Sequence, residues 1–506
     1  MSGLRYILTN SLTDWNEDKQ IKLSIKGLEE EYQAANEIKR EKPILVILGN
    51  PPYNAFVGLS PEEEEGLVAP YKEGLIKKWN IKKFNLDDLY VRFFRMAENS
   101  IAKTGKGIVC FISNYSYANE SSFVVMRQSL LKNFDNIWID SLNGDSRKTG
   151  KKTPDGEPDP SVFSTPMNKA GIKVGTAVSM LVRKSRNKTS TVKYRDFWGT
   201  QKRNELEASL DKKNFNQQYQ KAAPQEWNKF SFRPMSVSAD FLRWPSLAQL
   251  CQSYFDGMDE CRGGALSDFD KTLLEKRMID YFNPDIDWDS YKQKGGGLAK
   301  DAAGFNAKAA REKALPEGFN PARIVPYTMR PYDNGYCYYT GINPVWNRPR
   351  PELWKQYQSG NSFLLSHKNN VVQNEGAPLF FTVCISDRGA LRGLARHIPF
   401  TLSFNDGMLK RKTSANLSEK ARAYLQKLGF NEPDQNKEAA EVLWLHALAI
   451  GYAPAYRQEN ADGLKIDWPH IPLPDSHAGL KVRQIWARKS AVCWTWKHRL
   501  HGKKRT

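Results

Sequence analysis

Ile44-Leu45-Val46-Ile47-Leu48-Gly49-Asn50-Pro51-Pro52-Tyr53 is the stretch that decides how this chain is read. Its first six residues are β-branched, leucine or glycine with no polar alternation, the pattern of a strand buried on both faces of a parallel sheet. In such sheets function collects at the carboxyl ends of the strands, where Asn50 falls.

The four residues after the run suit one task. An exocyclic amine on a base is a poor nucleophile, because its lone pair is delocalised into the ring. The Asn50 side-chain carbonyl and the Pro51 backbone carbonyl can each accept one amine N–H, which favours a tetrahedral nitrogen with its lone pair free. Pro51 and Pro52 fix their φ angles and keep those carbonyls aimed, and Tyr53 is an aromatic placed to stack on the base. The tetrapeptide looks like the catalytic loop of an amino-methyltransferase. The competing reading is an ordinary strand-ending turn, since Asn-Pro and Pro-Pro are common breakers.

Composition narrows the setting. A chain of 506 residues is long enough for two or three domains, each with its own core. A formal net charge of +19 and a pI near 9.4 point to a polyanionic partner, most economically nucleic acid, against a merely solvated basic surface. Six scattered cysteines without a C-x-x-C pair imply neither a zinc site nor a disulfide framework. No H-E-x-x-H or convincing triad suggests metal or serine-type hydrolysis, so no metal is expected. No apolar run approaches the ~20 residues that span a bilayer, and no signal pattern opens the chain. A soluble cytoplasmic protein is the expectation.

Along the chain, Ser60 to Gly66 and Lys77 to Lys83 read as a polar insertion over the cleft. A helix is predicted from near Asn85, with Leu89, Phe93, Met96, Ala97 and Ile101 as its apolar face and Gly105-Lys106-Gly107 as its stop. Ile108 to Ile112, Asn136 to Leu142, Lys173 to Val182 and Lys193 to Phe197 read as strands, and Ser121 to Lys132 as a helix. Asp145 to Pro160 reads as a mobile loop, and Lys294 to Lys300 as a flexible one that lacks P-loop spacing. Such alternation means an α/β layered sheet. The domain boundary is expected near residue 200.

These residues resemble the gamma-type N6-adenine DNA methyltransferases, in particular the C-terminal part of type ISP restriction–modification polypeptides and their type IIG relatives. Beyond the ILGNPPY run, the resemblance rests on Asn85-Leu86-Asp87-Asp88-Leu89-Tyr90-Val91-Arg92-Phe93, on the strand from Gly107 to Ser113, and on Ser161-Val162-Phe163 before the next strand. It rests also on Met329-Arg330-Pro331-Tyr332-Asp333 with Tyr336, Tyr338 and Tyr339, and on Asp467-Trp468-Pro469-His470-Ile471-Pro472-Leu473-Pro474. The resemblance implies a partial Rossmann-like, S-adenosylmethionine-dependent methyltransferase sheet over residues 1–200, containing only its later strands. A mixed α/β target-recognition domain over 201–480 and a basic, atypical tail over 481–506 would follow.

It further implies that Asn50, Pro51, Pro52 and Tyr53 are catalytic, and that Tyr53 and Phe163 stack on an adenine flipped from double-stranded DNA. Asn10, Asn50 and Phe93 would adjoin the cofactor, with a strand cap and a core aromatic as the plain readings of Asn10 and Phe93. Arg330 and Asp333 are DNA-binding candidates, although a structural ion pair between them is the favoured alternative.

The family's F-x-G-x-G loop and following acidic residue, which hold the methyl donor, do not occur before Asn50. That half is expected upstream, or on a separate N-terminal methyltransferase, nuclease or helicase polypeptide. The opposing expectation is a catalytically inactive DNA-binding specificity module or gene remnant. The end of the chain, Lys481-Val482-Arg483 onward through Trp494 and Trp496 to Lys503-Lys504-Arg505, departs from the expected Ala/Leu-rich helix and reads as frameshifted or as a basic DNA-binding tail.

Overall fold

The decisive run forms β1 (Val46–Gly49), which lies parallel to β2 (Gly107–Asn114) with Val46 opposite Ile108 and Gly49 opposite Phe111. In this computed structural model the described residues are 11–12, 26–53, 66–82, 84–184, 189–368, 376–391, 394–405 and 411–484. Asn10, most of the insertion before Gly66 and the tail beyond Gln484 lie outside them. The chain divides into two units, Met1–Met235 and Ser236–Thr506. The expected boundary near residue 200 falls inside the first unit.

In that unit the strands are ordered β1-β2-β4-β3-β5-β6, with β3 at Asn136–Asn143, β4 at Thr176–Arg183, β5 at Thr191–Asp196 and β6 at Gln220–Ala222. The β1–β2 and β3–β5 pairs are parallel, while β4 runs antiparallel between β2 and β3. Helices α1 (Lys26–Arg40), α2 (Ala69–Lys72), α3 (Leu89–Thr104), α4 (Val124–Asn133) and α5 (Lys202–Leu210) accompany the sheet. A parallel β1–β2 pair needs a crossover, and α3 lies within it.

Helix α3 ends where Gly105 takes φ +83 and its N–H donates to the Ile101 carbonyl, the left-handed cap that the Gly-Lys-Gly sequence predicts. Its buried face differs from the expected one: Tyr90, Val91, Phe94, Ala97 and Ile101 are fully buried, whereas Leu89 and Phe93 are half-buried. The helix also buries Glu98, whose carboxylate accepts from Tyr71, Arg95, Ser129 and Asn133, so the charge is solvated by protein.

One expectation fails at β1. The strand was read as buried on both faces, yet Leu45, Val46 and Leu48 are 46%, 56% and 72% exposed. Among the described residues β1 pairs on one side only, so it forms the edge of the sheet and lacks the neighbours that cover an interior parallel strand.

The second unit carries short strands and long-range loops. Strands β7 (Phe255–Asp256), β8 (Ser267–Asp268), β9 (Ile324–Arg330), β10 (Asp333–Tyr338), β11 (Phe363–Ser366), β12 (Leu379–Thr382), β13 (Ile385–Ser386) and β14 (Arg396–Pro399) make two sheets ordered β13-β9-β10-β8 and β12-β11-β14-β7. Strands β15 (Thr401–Asn405) and β16 (Arg411–Ala415) pair only with each other among the described residues. The helix Lys437–Tyr452 fills a core with Val442, Leu443, Trp444 and Leu448 completely buried.

The Asp467–Pro474 motif is a staple within this unit. Leu247 N–H donates to Pro469 at 3.0 Å, Ile471 N–H to Pro245 at 2.9 Å, and Trp468 is buried. The glycine-rich turn read as flexible is a close packing contact as well. A Cβ on Gly297 would fall 1.7 Å from the Arg262 carbonyl oxygen.

Candidate active site

Asn50 follows the last residue of β1, beside the carboxyl end of β2. Gly49 lies close to the Phe111 ring, where an added Cβ would come within 3.2 Å. Pro51 is buried, Asn50 and Pro52 are exposed and Tyr53 is half-buried. The loop thus rests on one proline and offers the Asn50 amide to solvent.

Tyr53 folds back over this loop. Its hydroxyl lies 2.7 Å from Asn50 Oδ1 and 3.0 Å from the Ile112 carbonyl oxygen of β2, with one proton for two acceptors. Burial pushes the phenol up to about 12, so it stays protonated near neutrality. The Tyr53 and Phe163 rings meet with centroids 6.3 Å apart and planes inclined at 52°. Two aromatics separated by more than a hundred residues of sequence therefore share one site.

Phe163 is held by residues that sequence reading missed. Asp159 is fully buried and accepts from Gly144 N–H at 2.7 Å and Gly199 N–H at 2.8 Å. It also pairs with buried Lys202, at 2.5 Å, whose ammonium donates to the Leu142 carbonyl at 2.7 Å. Burial lowers the Lys202 ammonium's pKa, with Asp159 opposing the shift. The turn from Ser161 to Ser164 then passes Gly144 and Gly171, where an added Cβ would come within 3.0 Å of its atoms.

The segment read as a mobile loop is accordingly pinned. Asp145 Oδ1 accepts from Arg147 and Lys148 N–H, its Oδ2 accepts from Gly175 N–H, and Lys148 lies over the Tyr115 ring at 4.5 Å. The signal available in the sequence was Asp at both ends of a Gly- and Pro-rich stretch, since Asp satisfies turn N–H groups. The basic partner in α5 gave no sign of itself.

Other candidates stand apart from these contacts. Phe93 packs half-buried against the core of its unit, and its ring meets neither Tyr53 nor Phe163 among the described residues. In the second unit, Arg330 and Asp333 face each other across the β9–β10 hairpin. Among the described residues no ion pair joins their side chains, contrary to the favoured alternative, and Arg330 is exposed. A two-residue turn, Pro331-Tyr332, brings the strands together, with Tyr332 at φ +66. That is the glycine-favouring position of a type II turn, and a tyrosine there stores strain. Its hydroxyl meets Tyr452's at 2.6 Å, and its ring meets Phe380 edge-on.

Two families match the sequence: the Eco57I restriction-modification methylase over residues 4–146, and the Type ISP C-terminal specificity domain over residues 250–481. Among solved structures, the chain is similar to the ATP-dependent Type ISP restriction-modification enzyme LlaBIII bound to DNA, with TM-score 0.63 and 20% identity over 95% of this chain and 31% of that one. It is similar also to DrdV in a DNA complex, with TM-score 0.60 and 19% identity over 92% of this chain and 46% of that one. A nuclease-deletion mutant of the Type ISP enzyme LlaGI with a DNA substrate mimic gives TM-score 0.59 and 20% identity over 94% and 37%. At such identities the likeness establishes the fold. This chain spans about a third to a half of their length. No curated protein matches it.

Proposed function

We propose that this chain, in which an Eco57I restriction-modification methylase region precedes a Type ISP C-terminal specificity domain, forms the base-binding and DNA-recognition part of an N6-adenine DNA methyltransferase. The observation that carries this reading is the Asn50-Pro51-Pro52-Tyr53 loop at the end of β1, with the Tyr53 and Phe163 rings beside it. An adenine flipped from duplex DNA, at a cost of a few kcal/mol, enters between those rings. Asn50 Oδ1 and the Pro51 carbonyl accept the two amine protons and localise the lone pair on nitrogen.

S-adenosylmethionine, the donor that a methylase implies, would supply an electrophilic methyl group. The described residues fit the amine side of the reaction, and they include neither a glycine-rich loop nor an acidic residue at a strand end ahead of Asn50. Polypeptide beyond them would hold the donor, with Asn10 and Phe93 at most adjoining it. The outer edge of β1 is where such polypeptide would add a strand, because Leu45, Val46 and Leu48 offer apolar surface and no strand pairs with that edge among the described residues. The second unit would read the target, with the β9–β10 turn and Arg330 as a contact to DNA.

Titration of the purified chain with duplex DNA, and with labelled S-adenosylmethionine with and without DNA, tests this division of labour. DNA binding that weakens steeply with salt and negligible donor binding by the chain alone are expected. Absent or salt-insensitive DNA binding would overturn the recognition role, and tight donor binding would overturn the division. An inactive specificity module gains support if a donor-binding partner restores no methylation.

A further inference from the structure

The amine clamp is occupied by its own tyrosine. Asn50 Oδ1, the acceptor that an incoming amine needs, takes the Tyr53 hydroxyl at 2.7 Å. A base stacked between two parallel rings needs them about 7 Å apart, twice the ~3.5 Å of one van der Waals contact. Tyr53 and Phe163 are closer, at 6.3 Å, and tilted by 52°, so they pack against each other. Both halves of the site, the acceptor and the stacking slot, are filled by one side chain.

We propose that this geometry is a latched resting state, in which Tyr53 closes the clamp through its bond to Asn50 and its contact with Phe163 until a 6-amino base displaces it. The inference rests on the amine-clamp reading of the loop. The release route is built in. The Tyr53 hydroxyl that donates to Asn50 also lies 3.0 Å from the Ile112 carbonyl oxygen, so Tyr53 can surrender Asn50 and keep a hydrogen bond to β2. As the ring turns from its tilt toward parallel it leaves Phe163, and the slot and the acceptor open together. A base without a 6-amino group gains the slot but cannot repay the lost bond at Asn50. Every entering base therefore meets the same opening cost, and only a 6-amino base offsets it at Asn50.

The test compares the wild-type chain, Tyr53→Phe and Asn50→Ala with two probes. One is a single-stranded oligonucleotide carrying 8-vinyladenine, whose fluorescence reports stacking and which keeps the 6-amino group. The other carries the same fluorophore on purine without that group. Single strands remove the cost of flipping from both.

Tyr53→Phe keeps the ring and removes the latch, so it should bind both probes about fivefold more tightly, the ratio corresponding to about one net hydrogen bond, with the preference for the amino probe kept. Asn50→Ala should bind both probes alike. Affinities for both probes that Tyr53→Phe leaves unchanged would overturn the latch while leaving the clamp standing. Absence of discrimination in every chain would overturn the clamp reading and the latch with it. Thermal unfolding of Tyr53→Phe, expected within a few degrees of wild type, separates these outcomes from misfolding.

Discussion

The two units use comparable lengths of chain in opposite ways. Among the described residues the first spends its length on one six-stranded sheet and brings the candidate site residues Asn50, Tyr53 and Phe163 together beside strand ends. The second divides, among the described residues, into small sheets of four, four and two strands, held by side chains that reach backbone groups far along the sequence, such as His446 to Pro472 and Asn416 to Ser253. All seven histidines lie in the second unit. A conspicuous motif consequently means different things in the two: in the first it builds the candidate site, and in the second, as with Asp467–Pro474, it marks a structural staple.

The largest expected effect falls on the scaffold of the first unit. Asp159→Ala leaves the Lys202 ammonium and two N–H groups buried without their partner, and should cost about 3–5 kcal/mol of that unit's stability. Hydrogen exchange resolved by peptide should show the loss there. An equal loss in the second unit would break the contrast. Next comes Asn50→Ala in an enzyme completed with its donor-binding part, expected to lose ~2.7–4 kcal/mol of transition-state stabilisation with unchanged folding. Unchanged methylation rates would remove Asn50 from the chemistry.

Acid should separate the units in the other direction. Burial holds His397 down at about 3 and His446 at about 4, against about 6.5 in an unfolded chain. Below pH ~6.5 the unfolded state therefore binds more protons than the folded one, and stability falls as pH drops toward those values. At pH 5 the loss is about 2 kcal/mol per histidine, all of it in the second unit. Peptide-resolved exchange at pH 7 and pH 5 would expose the difference, and His397→Gln should flatten its share. The smallest effect is Arg330→Ala, which should leave melting unchanged and reduce the salt slope of DNA binding by about 1. An unaltered slope would remove Arg330 from the interface.

Legibility in the sequence follows the same contrast. The strands β2 to β5 and the helix α3 were readable because apolar runs and a Gly stop report local preference. Tyr53 and Phe163 were readable as aromatics in motif positions. The exposure of β1 was not, because a run of Ile, Val and Leu states a strand's preference and not its number of neighbours. The Asp159–Lys202 pair was hidden because neither residue is unusual where it stands; only the fold brings them together. The Tyr53 hydroxyl's bond to Asn50 depends on a rotamer, which no spacing encodes. Arg330 and Asp333 show the converse, a suggestive pair that shares a register without bonding.

The edge of β1, unpartnered among the described residues, puts association between copies under mass action. Ile44 to Gly49 is an uncharged, β-prone segment beside backbone groups with no sheet neighbour among the described residues. Such an edge templates fibril-like association between copies as readily as it accepts a proper strand. Whatever covers it stabilises the fold by RT ln(1 + [L]/Kd), while copies of the chain compete for the same row of donors and acceptors. Adding a covering polypeptide in excess should therefore raise the temperature of aggregation logarithmically with its concentration, and Leu48→Lys should suppress aggregation without it.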